Sequence, residues 1–115
     1  MGVTIYHNPR CSKCRGAMEI LEEKGIETEV VEYLKTPPDK ATLEKLLEML
    51  KMEPRELMRK GEPEYKQAGL DNPALTRDQL IEALVKYPVL IERPIVVSNG
   101  KAVIGRPPDR IVDIL

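Results

Sequence analysis

The chain has 115 residues, a length that fits one domain with a single modest core. Hydrophobic residues make up 42% of the chain, the formal net charge is -1, and phenylalanine and tryptophan are absent. Such a chain lacks the basic face and the stacking aromatics of a general nucleic-acid binder. No apolar run approaches the ~20 residues of a membrane span, and the N-terminus lacks a signal-peptide pattern. We therefore expect a cytoplasmic protein that binds neither nucleic acid nor membrane.

The first third of the chain predicts a strand, a helix and a second strand. Val3–Tyr6 is rich in β-forming residues, and Glu29–Tyr33 has the same character. Between them, Gly25 is a candidate for the helix C-cap. One face of the helix carries apolar residues at helical spacing: Cys14, Ala17, Met18 and Leu21. Short links between these elements indicate a βαβ unit with parallel strands.

The middle of the chain predicts helices. Asp39 follows a proline pair and is a candidate N-cap, and Pro54–Arg59 predicts a short helix. Thr76 and Gln79 fit a capping box for a further helix, which ends before Pro88. The first of these helices has an apolar stripe formed by Leu43, Leu46, Leu47 and Leu50.

The last third returns to strand patterns. Asn99-Gly100 lies between the β-rich runs Ile95–Val97 and Lys101–Ile104, a strong signal for a hairpin. Pro107-Pro108 then permits a final helix. The apolar residues expected to face inward from that helix are Ile111, Val112 and Leu115.

The order of elements defines the predicted fold class. A parallel βαβ unit followed by an antiparallel hairpin and a helix gives a mixed four-stranded sheet, which is the thioredoxin-like α/β architecture. We predict one thioredoxin-like domain over residues 1–115, enlarged by a helical insertion at about residues 39–88. Nothing in the pattern marks an obligate interface, so a monomer is expected.

Cys11 and Cys14 are the only cysteines, and Cys11 lies at the junction between the predicted first strand and the predicted first helix. Free N–H groups and the partial positive charge of a helix N-terminus favour a thiolate. His7, the only histidine, would add to this effect if it were protonated. The two cysteines could form a redox pair, or they could bind a metal ion together. Alternatively, one of them is a nucleophile and the other is a core residue beside it. Zinc is disfavoured because these three residues supply at most three ligands.

The same helix N-terminus can hold an oxyanion, and arginine forks match tetrahedral oxyanions in a bidentate manner. Three arginines lie near structural breaks: Arg59, Arg93 and Arg106. A soft nucleophile beside an anion site suggests a substrate anion whose central atom accepts sulfur.

At these residues the sequence resembles the glutaredoxin-coupled arsenate reductases of the thioredoxin-like superfamily, the ArsC/Spx group. The resemblance extends over essentially the whole chain, and its most specific parts are the loop before Cys11 and the Arg-Pro-Ile-Val-Val run. The matching stretches are His7–Lys13, Tyr33-Leu34, Pro37-Pro38, Leu57–Lys60, Glu92–Val97 and Gly105–Pro107.

The resemblance implies a role for each candidate residue. Cys11 would attack arsenate and form a thiol-arsenate adduct, with His7 lowering its pKa and Ser12 at the substrate site. The three arginines would hold the arsenate and arsenite oxygens. Glutathione, as co-substrate, would attack the adduct, and glutaredoxin would complete the reduction to arsenite, with no metal and no bound cofactor. Pro94 matches the cis-proline of thioredoxin-like folds.

Cys14 departs from the family, which commonly has serine or threonine at this position. It creates a CxxC motif, the spacing of thiol-disulfide exchange. Cys14 could therefore resolve the adduct itself, with thioredoxin as the reductant in place of glutathione and glutaredoxin. The sequence also leaves open a general thiol-disulfide oxidoreductase and a redox-sensing regulator of the Spx type that binds RNA polymerase.

Overall fold

The computed structural model describes residues 2–115, which form two compact units. The first unit runs through Thr36 and resumes at Arg93–Leu115, and the second is Pro37–Glu92. All four strands belong to the first unit: β1 (Val3–Tyr6), β2 (Thr28–Val31), β3 (Ile95–Ser98) and β4 (Lys101–Ile104). The number of independently folding domains stays a prediction.

The four strands form one mixed sheet in the order β2-β1-β3-β4. β1 pairs in parallel with β2 and antiparallel with β3, and β3 and β4 form the predicted hairpin. Asn99 and Gly100 have φ of 55° and 73°, as a tight hairpin turn requires. Helix α1 (Ser12–Glu23) connects the two parallel strands. The thioredoxin-like fold predicted from the sequence is therefore confirmed.

The core of the first unit lies between the sheet, α1 and the C-terminal segment. It is built from alternate residues of β1, one residue of β3, the apolar face of α1 and one residue of the C-terminal segment, since side chains alternate between the two faces of a strand and recur on one face of a helix. Helix α1 ends where Gly25 adopts a φ of +65°, and the Gly25 N–H donates to Glu22 O at 3.0 Å. The fully or nearly buried members are Val3, Ile5, Ala17, Leu21, Val96 and Ile111.

The C-terminal segment differs from its prediction. Pro108–Ile114 is a 3-10 helix, in which residues three apart share a face. Ile111 is fully buried and Ile114 packs against the core, whereas Val112 is 43% exposed. The prediction that Val112 faces inward was wrong, because it assumed the period of an α-helix.

The second unit contains the remaining helices. Asp39 caps the first of them by accepting a hydrogen bond from Thr42 N–H at 2.8 Å, and the Thr76–Gln79 capping box is present. Both predictions are confirmed. The helices are α2 (Lys40–Leu50), α3 (Pro63–Gln67) and α4 (Arg77–Lys86), with 3-10 turns at Pro54–Leu57 and Pro88–Leu90.

Two predicted boundaries were too long. The helix predicted for Pro54–Arg59 stops at Leu57, because Met58 pairs with Ile91 in an isolated β-bridge. The second strand was predicted to reach Tyr33 but ends at Val31. A turn follows it, in which Glu32 O accepts the N–H groups of Lys35 and Thr36 at 2.9 Å each.

Gly105 is a position where a side chain has no room. A Cβ atom there would lie 2.9 Å from Pro94 Cγ and 3.2 Å from Ile111 Cγ2. We expect Gly105→Ala to lower the free energy of unfolding by about 1–3 kcal/mol, measured by urea denaturation. Gly61→Ala is the matched control, since a Cβ there meets nothing within 4 Å, and it should stay within about 0.5 kcal/mol of the parent. Equal stability of the two variants would contradict this packing argument.

Candidate active site

The loop between β1 and α1 places Cys11 at the N-cap of the helix. Asn8 is 9% exposed and organises this loop. Its side-chain Oδ1 accepts the Arg10 N–H at 3.0 Å, and its carbonyl accepts the Cys11 N–H at 3.0 Å. This is the Asx type of turn, which the Asn-Pro pair in the sequence favours. Asn8 was absent from the predicted site, although that dipeptide was a signal for it.

The thiol of Cys11 is activated by its surroundings. Burial by itself raises the pKa of this thiol, but the backbone N–H of Cys14, the Cys14 thiol, the Arg93 guanidinium and the Lys13 N–H together lower it to about 7. About half of Cys11 is then thiolate at pH 7, against a few per cent for an ordinary cysteine. Two of these groups, the N–H groups of Lys13 and Cys14, belong to the first turn of the helix.

This pKa predicts the pH dependence of Cys11 alkylation. Because only the thiolate reacts, the rate with iodoacetamide should rise through a midpoint near pH 7 and level off above about pH 8. The measurement is the alkylation rate from pH 5 to pH 9, followed by mass spectrometry. Cys11→Ser is the control and should leave only slow labelling without that midpoint. A midpoint near 8.5, the value of an ordinary cysteine, would contradict the proposed activation.

Cys14 has the opposite character. It lies on the buried face of α1 and is 0% exposed. Burial raises the pKa of its thiol to about 11; the Asn8 N–H opposes this rise, and the neighbouring Cys11 adds to it. Both cysteines are free thiols. At neutral pH, Cys14 is therefore a protonated thiol beside a thiolate.

Arg93 and Arg106 lie beyond the same end of the β3–β4 ladder. In the β3–β4 ladder Ile95 pairs with Ile104, and the ladder continues where the Gly105 N–H donates to Pro94 O at 2.8 Å. Arg93 comes two residues before Ile95 and Arg106 two residues after Ile104, and both side chains are half-buried. β3 runs antiparallel to β1, so this is also the end of the sheet from which the Cys11 loop departs.

The peptide bonds that follow these two arginines are both cis, at Arg93-Pro94 and Arg106-Pro107. The first was predicted from the resemblance and is confirmed. The second was not predicted from the sequence. Both bonds lie beside the candidate anion-binding residues.

Tyr33 is a site residue that sequence reasoning did not identify as one. Its side chain is 0% exposed, and its hydroxyl has no hydrogen-bond partner among the described residues. Burial raises the pKa of this phenol, while the positive charge of Arg93 opposes the rise. Arg93 itself has two buried donors, Nε and Nη1, without a partner among residues 2–115. Unsatisfied buried donors are uncommon, and a ligand anion is one way to satisfy them.

His7 and Ser12 lie on either side of Cys11 in the chain. Burial lowers the pKa of His7, with the charge of Glu32 opposing that effect, so His7 is less charged at neutral pH than a free histidine. Its Nδ1 atom is buried and without a partner in the described part of the chain. Ser12 is the exposed first residue of α1. The roles predicted for both residues stay predictions.

Arg59 belongs to the second unit. Its backbone N–H donates to Leu90 O at 2.7 Å, and its Nε atom lies 3.4 Å from Glu62 Oε1. These contacts hold the segment that follows the 3-10 turn at Pro54–Leu57. Its predicted contact with substrate oxygens stays a prediction.

Two further features bear on the class of protein. Within residues 2–115, no group of three or more histidine, cysteine, aspartate or glutamate side chains is arranged to hold a metal ion. In the same range, no helix combines the length and the apolar character needed to cross a membrane. What the described residues do hold is a thioredoxin-like sheet that presents an activated cysteine beside an arginine.

Comparison with known proteins agrees with this class. The model of the ArsC family matches residues 6–114. The chain is 54% identical to the uncharacterized protein YfgD of Escherichia coli over 98% of its own length and 96% of that protein. It is 49% identical to an arsenate reductase of Neisseria meningitidis serogroup A, over 98% and 97% of the two chains. The structure of an arsenate reductase from Vibrio cholerae superimposes with a TM-score of 0.97 at 46% identity, covering 100% of this chain and 98% of that one.

The chain therefore belongs to the ArsC family, as the resemblance of its motifs indicated. It is a thiol-dependent oxidoreductase, and Cys11 is its best candidate for the reactive thiol.

Proposed function

We propose that this protein reduces arsenate to arsenite with Cys11 as the nucleophile. The observation that carries the proposal is the activated Cys11 thiol at the N-terminus of α1, next to the buried free donors of Arg93. The thiolate supplies the attacking sulfur, and the guanidinium supplies a planar fork for oxyanion oxygens. The names of the two arsenate reductases above support the same substrate.

The proposed chemistry starts with the attack of Cys11 sulfur on arsenic. A sulfur–arsenic bond forms, and an arsenate oxygen leaves as water after it takes up protons. A second thiol then attacks the Cys11 sulfur, and the electron pair of the sulfur–arsenic bond stays with arsenic. Arsenic is reduced from the +5 to the +3 state and leaves as arsenite, while the two thiols are oxidised to a disulfide. Arg93, Arg106 and Arg59 are the proposed contacts for the arsenate and arsenite oxygens. Ser12 is a further proposed substrate-binding residue.

The second thiol is the point at which two routes differ. In one route glutathione attacks the adduct, and glutaredoxin reduces the resulting mixed disulfide. In the other route Cys14 attacks, and thioredoxin reduces the Cys11–Cys14 disulfide. We favour glutathione with glutaredoxin, because Cys14 is fully buried and its pKa of about 11 leaves little thiolate at neutral pH.

The test is arsenate-driven oxidation of NADPH with two separate recycling systems. One contains glutathione, glutathione reductase and glutaredoxin, and the other contains thioredoxin and its reductase. We expect turnover with the first system and about the same rate for Cys14→Ser, whose hydroxyl keeps a donor near Cys11. Turnover that occurs only with thioredoxin and is lost in Cys14→Ser would establish the other route. No turnover in either system would overturn arsenate as the substrate.

General thiol-disulfide exchange is the second candidate, and the CxxC spacing favours it. Exchange between sulfurs does not need the buried donors of Arg93, so this candidate leaves them unexplained. Reduction of insulin disulfides in the absence of arsenate separates the two functions. We expect insulin reduction by this protein to stay far below that by thioredoxin.

A further inference from the structure

A pocket that the mechanism above does not use lies directly before Cys11 in the chain. Its walls come from residues 7–10 of the β1–α1 loop and from the turn after β2, which contributes Glu32, Leu34 and Lys35. Its volume is about 200 Å³. Pockets that enclose a drug-sized ligand have volumes of ~300–1,000 Å³, so this one suits one end of a small peptide.

The pocket belongs to the same loop that positions the reactive thiol. Arg10 in its wall is the chain neighbour of Cys11, and the carbonyl of Asn8 accepts the Cys11 N–H at 3.0 Å. The two walls are joined at their base, because the His7 N–H donates to Val31 O at 2.8 Å. A molecule held in this pocket is therefore bound against the loop that carries Cys11.

The uncharged part of the lining suits a peptide. Leu34 is 43% exposed and is one of three large hydrophobic residues left exposed in the described chain. Together with the exposed ring of Pro9 it offers an apolar surface to the methylene groups of a ligand. The buried Nδ1 atom of His7 has no partner within residues 2–115, and a peptide group can supply one.

The charged part of the lining favours a carboxylate. Arg10 and Lys35 are exposed cations, and Glu32 is the one carboxylate among the lining residues. Lys35 Nζ lies 3.7 Å from Glu32 Oε1, an exposed pair of low stability that can exchange for a ligand carboxylate. Arg10 forms no ion pair within the described residues, so its planar fork is available for such a group.

We propose that this pocket binds a carboxylate end of glutathione and brings its sulfur to Cys11. The inference rests on the proposed function, in which glutathione is the second thiol, and it deepens that function by placing this co-substrate. Arg10 and Lys35 bind the carboxylate, while Pro9 and Leu34 pack against the methylene groups. Glutathione has a carboxylate at each end, one glycyl and one γ-glutamyl, and the pocket has room for one of them.

The first test is binding of S-methylglutathione, whose blocked sulfur cannot react, so the measurement needs no arsenate turnover. Titration into isotope-labelled protein should shift the backbone amide NMR signals of Arg10 and Lys35 until they saturate. We expect Arg10→Ala to raise the dissociation constant about tenfold, through loss of a charge-assisted contact. Arg110→Ala removes an exposed arginine of the C-terminal 3-10 helix and is the matched control, which should bind like the parent.

Two modified ligands identify the end that is bound. The glycyl ethyl ester of S-methylglutathione lacks the glycyl carboxylate, and S-methylcysteinylglycine lacks the γ-glutamyl residue. Weak binding of the ester alone assigns the pocket to the glycyl end, and weak binding of the dipeptide alone assigns it to the γ-glutamyl end. Unchanged binding of both ligands would show that neither carboxylate is held and would overturn the proposal.

A kinetic test separates the pocket from the chemistry at Cys11. In the NADPH assay with glutathione and glutaredoxin, Arg10→Ala should raise KM for glutathione about tenfold and leave KM for arsenate near that of the parent. A rise in KM for arsenate alone would mean that Arg10 contacts arsenate instead of glutathione, which would overturn the proposal.

The titration has two outcomes that contradict the pocket. Equal binding of S-methylglutathione by Arg10→Ala and Arg110→Ala would show that Arg10 does not hold the ligand. The absence of saturable shifts at millimolar concentrations would show that the pocket does not bind glutathione. If arsenate is not the substrate, the titration is unaffected. If glutathione binds elsewhere, arsenate turnover persists without shifts at Arg10 and Lys35, so the two failures are distinguishable.

Discussion

Cys11→Ser is expected to abolish arsenate reduction, with kcat/KM falling by at least about a thousandfold. Serine keeps the size of the side chain, but its hydroxyl is not ionised near neutral pH and cannot form the sulfur–arsenic bond. The thiolate that the α1 N-terminus and Arg93 stabilise is lost in this variant. The measurement is NADPH oxidation with the glutathione and glutaredoxin system over a range of arsenate concentrations.

Cys14→Ser is the matched control for this substitution, because it makes the same chemical change three residues further along α1. It should keep most of the activity if glutathione resolves the adduct. Both proteins should show the same unfolding transition in urea to within about 1 kcal/mol if packing is preserved. Normal turnover by Cys11→Ser would exclude Cys11 as the nucleophile and end the proposed mechanism.

The fold was predictable because its signals are local and agree with one another. The Asn99-Gly100 turn, the Asp39 cap and the Thr76–Gln79 capping box each depend on a few neighbouring residues, and all three are present. The order of strands and helices then leaves few topologies for a four-stranded sheet. The C-terminal segment was less predictable, since a 3-10 helix and an α-helix share the same short apolar pattern.

The site was predictable only in part. Cys11 was identified from its place between a strand and a helix, and Arg93 from its place before the hairpin. Tyr33 was missed as a site residue because nothing local distinguishes a site tyrosine from a core tyrosine. Its interaction with Arg93 and its unpaired buried hydroxyl depend on segments that are distant in the chain, so only three-dimensional coordinates reveal them.

The difference in pKa between the two cysteines could not be predicted from the sequence and became visible only in the structure. The CxxC spacing does not distinguish the two cysteines. In the structure, Cys11 lies at the N-terminus of α1, whereas Cys14 is buried in the apolar face of that helix. The resulting pKa values, about 7 for Cys11 and about 11 for Cys14, differ because the first gains N–H groups and Arg93 while the second mainly loses solvent. This asymmetry makes Cys11 the better candidate for the nucleophile of the pair.

Arg93→Ala is the second substitution with a large expected effect, a loss of about a hundredfold in kcat/KM for arsenate. Two contributions add: the anion loses a bidentate contact, and the Cys11 thiolate loses a neighbouring positive charge. The second contribution raises the pKa of Cys11. Part of the loss should therefore be recovered above about pH 8, where more of the thiol is ionised, and the part that remains reports the anion contact. The measurement is the pH profile of kcat/KM from pH 6 to about pH 9.

Arg93→Lys separates these contributions further, because lysine keeps the charge but offers a point charge instead of a planar fork. We expect it to retain a Cys11 pKa near that of the parent while KM for arsenate rises about tenfold. Arg110→Ala removes an exposed arginine of the C-terminal 3-10 helix and is the control for a general loss of positive charge. An Arg93→Ala profile that coincides with that of Arg110→Ala would mean that Arg93 contacts neither the thiolate nor the anion. The buried donors would then have a purely structural role, and the oxyanion would have to be held by the helix N-terminus and the other two proposed arginines, Arg106 and Arg59.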